Sequence, residues 1–267
     1  MFDELTLAQA VAFADAKVRA TGRTVEISSD FYELADELAD QGKTLNQESS
    51  PYHQELSPSN TIYIAIRNTD GELQAFCAAR LVSVGSEMLS GYLDRLYRRI
   101  YGRGKPAIDI ADLPPPAYEA NGKIVFISDL IITRRATGKV DPCDLMMLAI
   151  GLSSLRFDPD YVYGIVSHRN VNRGLAARYL CSGWYYGALQ WLVDVPWSNE
   201  DWLLLMPKSH FRYTLRRFVG LASGAIEEAA RANVADEQLV PEVLACVRKK
   251  HLPTIKHPNR QKEAVVG

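Results

Sequence analysis

The residues whose types and order could do chemistry gather between Lys123 and Trp184. A basic, glycine-containing turn, Arg134-Arg135-Ala136-Thr137-Gly138-Lys139, separates an apolar run from a helical segment. The first amides of a helix lack intrahelical partners, and the helix dipole favours an anion beside them. Such a turn suits a pyrophosphate on the amides of Thr137, Gly138 and Lys139, with Arg134 and Arg135 adding charge. A solvated surface turn is the other reading. The spacing fits neither Gly-x-x-x-x-Gly-Lys-Ser/Thr nor Gly-x-Gly-x-x-Gly, so neither a P-loop nor a Rossmann site is expected. Cys77, Cys143, Cys181 and Cys246 form no Cys-x-x-Cys pair. His53, His210, His251 and His257 share no ligand spacing, so no metal is expected.

The elements that must position this turn are legible from periodicity. Ile124 to Thr133 is apolar and rich in β-branched residues, which predicts a buried strand. Pro142 to Phe157 carries Leu145, Leu148, Ala149, Leu152 and Leu155 at helical spacing. Asp158-Pro159-Asp160 breaks that helix, and Tyr161 to Ser167 predicts a second strand. A second helix, roughly Asn172 to Cys181, ends at Gly183, a natural residue after a helix C-cap. The result is a βαβα unit.

Before this unit, Leu5 to Thr21 and Phe31 to Asp40 read as helices, and 46–60 reads as a polar loop. Thr61 to Arg67 and Leu73 to Val84 read as strands joined at Asp70-Gly71, a strong hairpin signal. Glu87 to Tyr101 reads as a helix, followed by a proline-rich loop to Asn121. After the unit, Ala188 to Val195 predicts a strand, and Asp201 to Met206 a short strand or a loop. A helical tail starts at His210 and runs to about Ala232. A further helix is expected from Asp236 to Lys250, then a basic disordered tail. The domain reading is 1–60 as N-terminal helices and loop, 61–208 as the core, and 209–267 as a helical extension.

Bulk properties narrow the classes. The chain has 267 residues, 47% of them apolar, and a formal net charge of −2. That charge predicts no global attraction to nucleic acid or to an anionic membrane. The acidic start, Met1-Phe-Asp-Glu-Leu, lacks the basic region of a secretory signal. No apolar run reaches the ~20 residues of a membrane span. The cysteines read as buried thiols in a reducing compartment, so a cytoplasmic protein is expected.

The order hairpin, strand, Arg-x-x-Gly turn, helix, strand, Asn-started helix, Gly-aromatic resembles the GNAT (Gcn5-related N-acetyltransferase) superfamily. Arg135-Ala-Thr-Gly138-Lys-Val140 corresponds to that family's Gln/Arg-x-x-Gly-x-Gly/Ala turn. Val140 replaces the last small residue and narrows the room beside a pyrophosphate. Asn172, Tyr179, Gly183 and Trp184 match the spacing of a later family motif.

The resemblance implies an α/β fold (α+β by some schemes), with a mixed sheet whose two central parallel strands splay. It implies acyl transfer from acetyl-CoA or another acyl-CoA to a small-molecule or peptide amine. Pantetheine would pair with backbone near Ile132 and Thr133. The diphosphate would lie on the turn, and Asn172 is a further cofactor-binding candidate. Tyr179 would protonate the leaving thiolate, a role that suits a phenol with an unperturbed pKa of about 10. Asp129 and His168 would be candidates to accept the amine's proton. Each also has a plainer reading: Tyr179 as a core tyrosine, His168 as a structural residue, Asn172 as a helix cap. A homodimer is permitted. Two alternatives stand beside this: a degenerate GNAT-like binding module, and a long-chain N-acyl synthase resembling the acyl-homoserine-lactone synthases.

Overall fold

In the computed structural model, residues 4–231 apart from 196 are described, with side chains to 224. The helix expected at Asp236–Lys250, the basic tail, Cys246, His251 and His257 lie outside the described residues.

Among the described residues, nine strands and seven α-helices follow in chain order: α1 (Glu4–Arg19), β1 (Thr24–Ser28), α2 (Phe31–Asp40), β2 (Thr61–Arg67), β3 (Leu73–Gly85), α3 (Leu89–Ile100), β4 (Ile108–Asp109), β5 (Gly122–Ile132), α4 (Pro142–Phe157), β6 (Tyr161–Val166), α5 (His168–Asn172), α6 (Leu175–Arg178), β7 (Trp184–Tyr186), β8 (Gln190–Trp191), β9 (Trp202–Pro207) and α7 (Lys208–Arg231). Seven strands form one sheet in the order β1-β2-β3-β5-β6-β9-β7, while β4 and β8 pair separately. Every neighbouring pair in the large sheet is antiparallel except β5 and β6. The fold is therefore the expected mixed α/β sheet flanked by helices.

The core forms on both faces of the sheet. On one, α4 is buried nearly all round between α1, α7 and the sheet, which explains why it is apolar beyond a single stripe. A side chain at Gly151 would meet the Val11 side chain at 2.6 Å, so α1 approaches α4 where α4 has no side chain. On the other face, α3 packs Leu89, Leu93, Leu96 and Tyr97 against Phe126, Tyr163 and Trp191. The α2 helix covers β2 and β3 with Phe31, Leu34 and Leu38, and Asp30 caps it by accepting from the amides of Tyr32 and Glu33.

Two expectations need correction, and two strands of the large sheet lie where none was expected. Thr24–Ser28 is one of these strands; it sits at the sheet edge with no fully buried residue, so its sequence carries little alternation. Of the helix expected from Asn172 to Cys181 only Leu175–Arg178 forms as a separate short helix: α5 ends at Asn172, and Gly174 breaks the chain there with a φ of +87° that a side chain rarely adopts. Only Gln190–Trp191 of the run from Ala188 to Val195 is strand. A strand that was not expected, β7, directly follows Gly183 and pairs with β9.

Candidate active site

The two central strands pair only at their start, from Ile124↔Tyr161 to Phe126↔Tyr163. Beyond that point β5 stays paired with β3 as far as Ile132 but leaves β6, and a cavity of about 260 Å³ opens between them. Two local features make the split. Gly164 lies at its apex, where a Cβ would stand 2.9 Å from the Ile127 carbonyl oxygen, so only glycine fits without moving a strand. Asp129 has a φ of +49°, and the β3–β5 register slips between Phe76↔Ile131 and Ala78↔Ser128. This is a β-bulge with a left-handed residue, a conformation asparagine and aspartate tolerate best. It bends β5 away from β6 and leaves the backbone of 127–131 facing the cleft.

The bulge also sets a carboxyl group. Asp129 Oδ1 accepts the Asn46 amide at 3.2 Å, and Oδ2 is fully buried without a partner. Burial pushes the Asp129 carboxyl up to about 6, against the lowering effect of the Asn46 bond and of nearby Ser49 and Ser128. The hydroxyls of those two serines hydrogen-bond each other, tying loop 46–60 to β5.

A second acid lies behind it that the sequence reading did not single out. Glu48 is fully buried, and neither carboxylate oxygen has a hydrogen-bond partner. The adjacent Tyr97 hydroxyl is also outside bonding geometry. Desolvation pushes the Glu48 carboxyl up to about 7, opposed by Tyr97 and Arg80 and reinforced by Asp129. Two buried carboxyls whose pKa values are raised to near neutrality beside a cleft mark a candidate acid–base site. The one signal available in the sequence was an acidic residue in a loop read only as polar.

Tyr179 reaches the cleft wall after α6 and is 1% exposed. Burial, with Cys77 and Cys181 nearby, holds its hydroxyl far above the usual tyrosine range, so it stays protonated. Leu175 and Met146 complete that wall from α6 and α4.

His168 and Asn172 are held away from the cleft. The His168 Nδ1 accepts from Trp202 Nε1 at 3.2 Å, and Nε2 lies 2.7 Å from the Asn172 amide nitrogen. The His168 amide donates to Asp201 at 3.1 Å. Both ring nitrogens are engaged, and neither residue lines the cleft. Asn172 is the last residue of α5 and caps no helix; its side chain is spent on His168.

The turn after β5 lies at the expected place, with Arg134, Arg135, Thr137, Gly138 and Lys139 all exposed. Its amides are mostly occupied, however. The amide of Thr137 bonds Arg134 at 3.4 Å, and those of Lys139 and Val140 bond Ala136 at 2.9 and 3.1 Å. Asp141 caps α4 by accepting the Cys143 amide at 2.9 Å, and Pro142 has no N–H to offer. Asp144 in the first turn forms a buried ion pair with Lys17 of α1. The start of α4, next to the turn expected to hold a diphosphate, is therefore already occupied by carboxylates. Arg134, Lys139 and the Gly138 amide remain as outward-facing groups. Ile132 pairs with Ala75, and the Thr133 amide donates to Gln74 at 2.8 Å, so both backbones turn toward β3 at the cleft's outer end.

No protein-family model matches the chain, and no curated protein matches it. Solved structures do align with it. NAA60 of Arabidopsis thaliana in complex with acetyl-CoA aligns at 16% identity and a TM-score of 0.42, over 70% of this chain and 99% of that one. FeeM, an N-acyl amino acid synthase from uncultured soil microbes, aligns at 14% and 0.41, over 73% and 97%. The spermidine/spermine N-acetyltransferase SpeG of Vibrio cholerae aligns at 11% and 0.40, over 73% and 98%. Likeness at this level assigns no substrate. The strand order, the one parallel pair and its splay are properties of this chain's own sheet.

Proposed function

We propose that the chain is an acyltransferase that moves an acyl group from an acyl-CoA thioester to an amine. The observation that carries this is the cleft between β5 and β6, with a buried carboxyl at the bulge and a protonated phenol on the opposite wall. The backbone of 127–131 offers hydrogen-bonding groups to an extended amide chain such as pantetheine, which would add to the sheet as an extra strand.

In this reading the amine nitrogen attacks the thioester carbonyl carbon. A C–N bond forms and the C–S bond breaks. The proton lost by nitrogen goes to Asp129, directly or by way of Glu48, and Tyr179 gives a proton to the departing sulfur. Thioester and amine become amide and free thiol. A base with a pKa of about 6 is ionised at neutral pH and still basic enough to assist. The cationic turn would meet the diphosphate through Arg134, Lys139 and the Gly138 amide. Arg135 is partly spent on Glu72, at 3.6 Å.

The self-capped start of α4 and buried Val140 favour a second reading, a GNAT-like module that binds a partner without chemistry. Thiol release from acyl-CoA in the presence of an amine pool separates the two. With Asp129→Asn the enzyme reading predicts a loss of about 10²–10⁴-fold, the usual contribution of a positioned base. No thiol release by the wild type would leave the binding module. Buried free Cys77 and Cys143 suit a reducing compartment, and the reading places the enzyme in the cytoplasm. Among the described residues no helix is long and apolar enough to cross a membrane.

A further inference from the structure

Strand β3 alternates: Cys77 and Ala79 join the core under α4, while Arg80 and Val82 turn to the opposite face. On α3, Tyr92, Leu96 and Arg99 follow at helical spacing and share one side. Between these two elements and Gln54 of loop 46–60 lies a second cavity of about 460 Å³, which shares no lining residue with the cleft between β5 and β6. That is room for a small organic molecule and not only for a bare ion.

The arginines of this pocket are not equivalent. Arg95 is neutralised by Glu87 at 2.5 Å. Arg80 and Arg99 instead converge on one neutral atom: Gln54 Oε1 accepts from Arg80 Nη1 at 3.1 Å and from Arg99 Nη2 at 2.8 Å. The Gln54 amide nitrogen donates to the Gln47 carbonyl at 3.1 Å, which fixes the oxygen toward the arginines. Arg80 is only 9% exposed. Its Nη2 donates to the Tyr92 hydroxyl at 3.0 Å, and its Nε is buried with no hydrogen-bond partner. Glu55 at the rim is exposed. Glu48 attracts Arg80, but burial pushes its carboxyl up to about 7, so it carries only part of a charge at neutral pH.

Two guanidiniums held on one neutral oxygen repel each other, and a buried guanidinium N–H without an acceptor is costly. A carboxylate relieves both costs: it offers one oxygen to each arginine and cancels their charge. The Tyr92 hydroxyl accepts from Arg80 and keeps its own proton to give. Val82 and Leu96 supply apolar wall for the body of such a ligand. We propose that this pocket binds the carboxylate of a small organic acid, at a site separate from the acyl cleft. The acid takes the place of Gln54 Oε1 on the two arginines. Nothing in this assignment rests on the acyl-transfer reading.

The probes are benzoate and propionate, with benzamide and propionamide as neutral twins and inorganic phosphate as a tetrahedral anion. Each is titrated at constant ionic strength into the full chain labelled at the arginine Nε, and the Nε–H signals are followed by NMR. The Arg99 signal is identified by its loss in Arg99→Gln. A carboxylate should move that signal and one other arginine signal saturably, and bind about tenfold or more tightly than its amide twin, the worth of one charge-assisted contact. Its affinity should fall by a similar factor in Arg99→Gln; Arg99 is exposed, so the core packing is kept. Acetyl-pantetheine, which carries no phosphate, should not compete, because the two cavities share no lining residue. No saturable movement with either acid, equal binding of the amides, or an unchanged affinity in Arg99→Gln overturns the proposal. So does tighter binding of phosphate than of both acids, or competition by acetyl-pantetheine, which would put the acid in the acyl cleft.

Discussion

Glu48 makes the site testable without knowing its substrate. Its carboxyl is pushed up to about 7 from an ordinary value of 4.5, first by burial. The folded state then holds a proton that the unfolded state releases between these two values. The sign follows: the stability linked to this proton is fully present below about 4.5 and is lost as pH rises through about 7. At about 1.36 kcal/mol per pKa unit, a few kcal/mol, on the order of 2–3, should disappear between about pH 5 and pH 8. Glu48→Gln removes the titration. Its buried amide brings a cost of its own, about 1–3 kcal/mol if unpartnered, but that cost does not vary with pH. The readout is therefore the slope and not the absolute stability. Urea denaturation at these two pH values, for wild type and variant, should show the wild type losing about 2–3 kcal/mol more than Glu48→Gln. Equal pH dependence in the two proteins would mean that Glu48 is solvated or paired, and the acid–base reading of the loop would fail with it.

Two further outcomes follow from the cleft and the turn. Tyr179→Phe should lower turnover by about 10²-fold while leaving thioester affinity nearly intact, because the hydroxyl acts on the leaving sulfur; unchanged kcat would remove Tyr179 from the chemistry. Acetyl-pantetheine should serve within about tenfold of acetyl-CoA, because Asp141, Pro142 and the bonded amides of Lys139 and Val140 leave the α4 end little to give a diphosphate. A loss of about 10³-fold on truncation would show that the turn reopens around phosphate.

The framework was readable because its signals are local. The hairpin at Asp70-Gly71, the apolar run of β5, the largely apolar α4 and the strand β6 each follow from a few neighbouring residues. Their order was enough to suggest the fold. The cleft was readable only in outline. The bulge at Asp129 depends on register against β3, which periodicity within one strand cannot reveal. Glu48 becomes an unusual acid only because a loop folds over Tyr97 and Tyr163, a long-range event with no local pattern. His168 looked available because it follows a strand, yet Trp202, distant in sequence, occupies its Nδ1. The turn after β5 had the composition of a phosphate site, but Asp141 and Asp144 compete for the same helix end.

The most direct measurement is hydrogen–deuterium exchange over β5 with and without acetyl-CoA. The account predicts slowed exchange at residues 127–131, where the strand has left β6 and faces the cleft, with β1 and β2 unchanged. Acetyl-CoA that leaves this segment as exchangeable as before, or protects another surface instead, would contradict the claim that the cleft holds an acyl thioester.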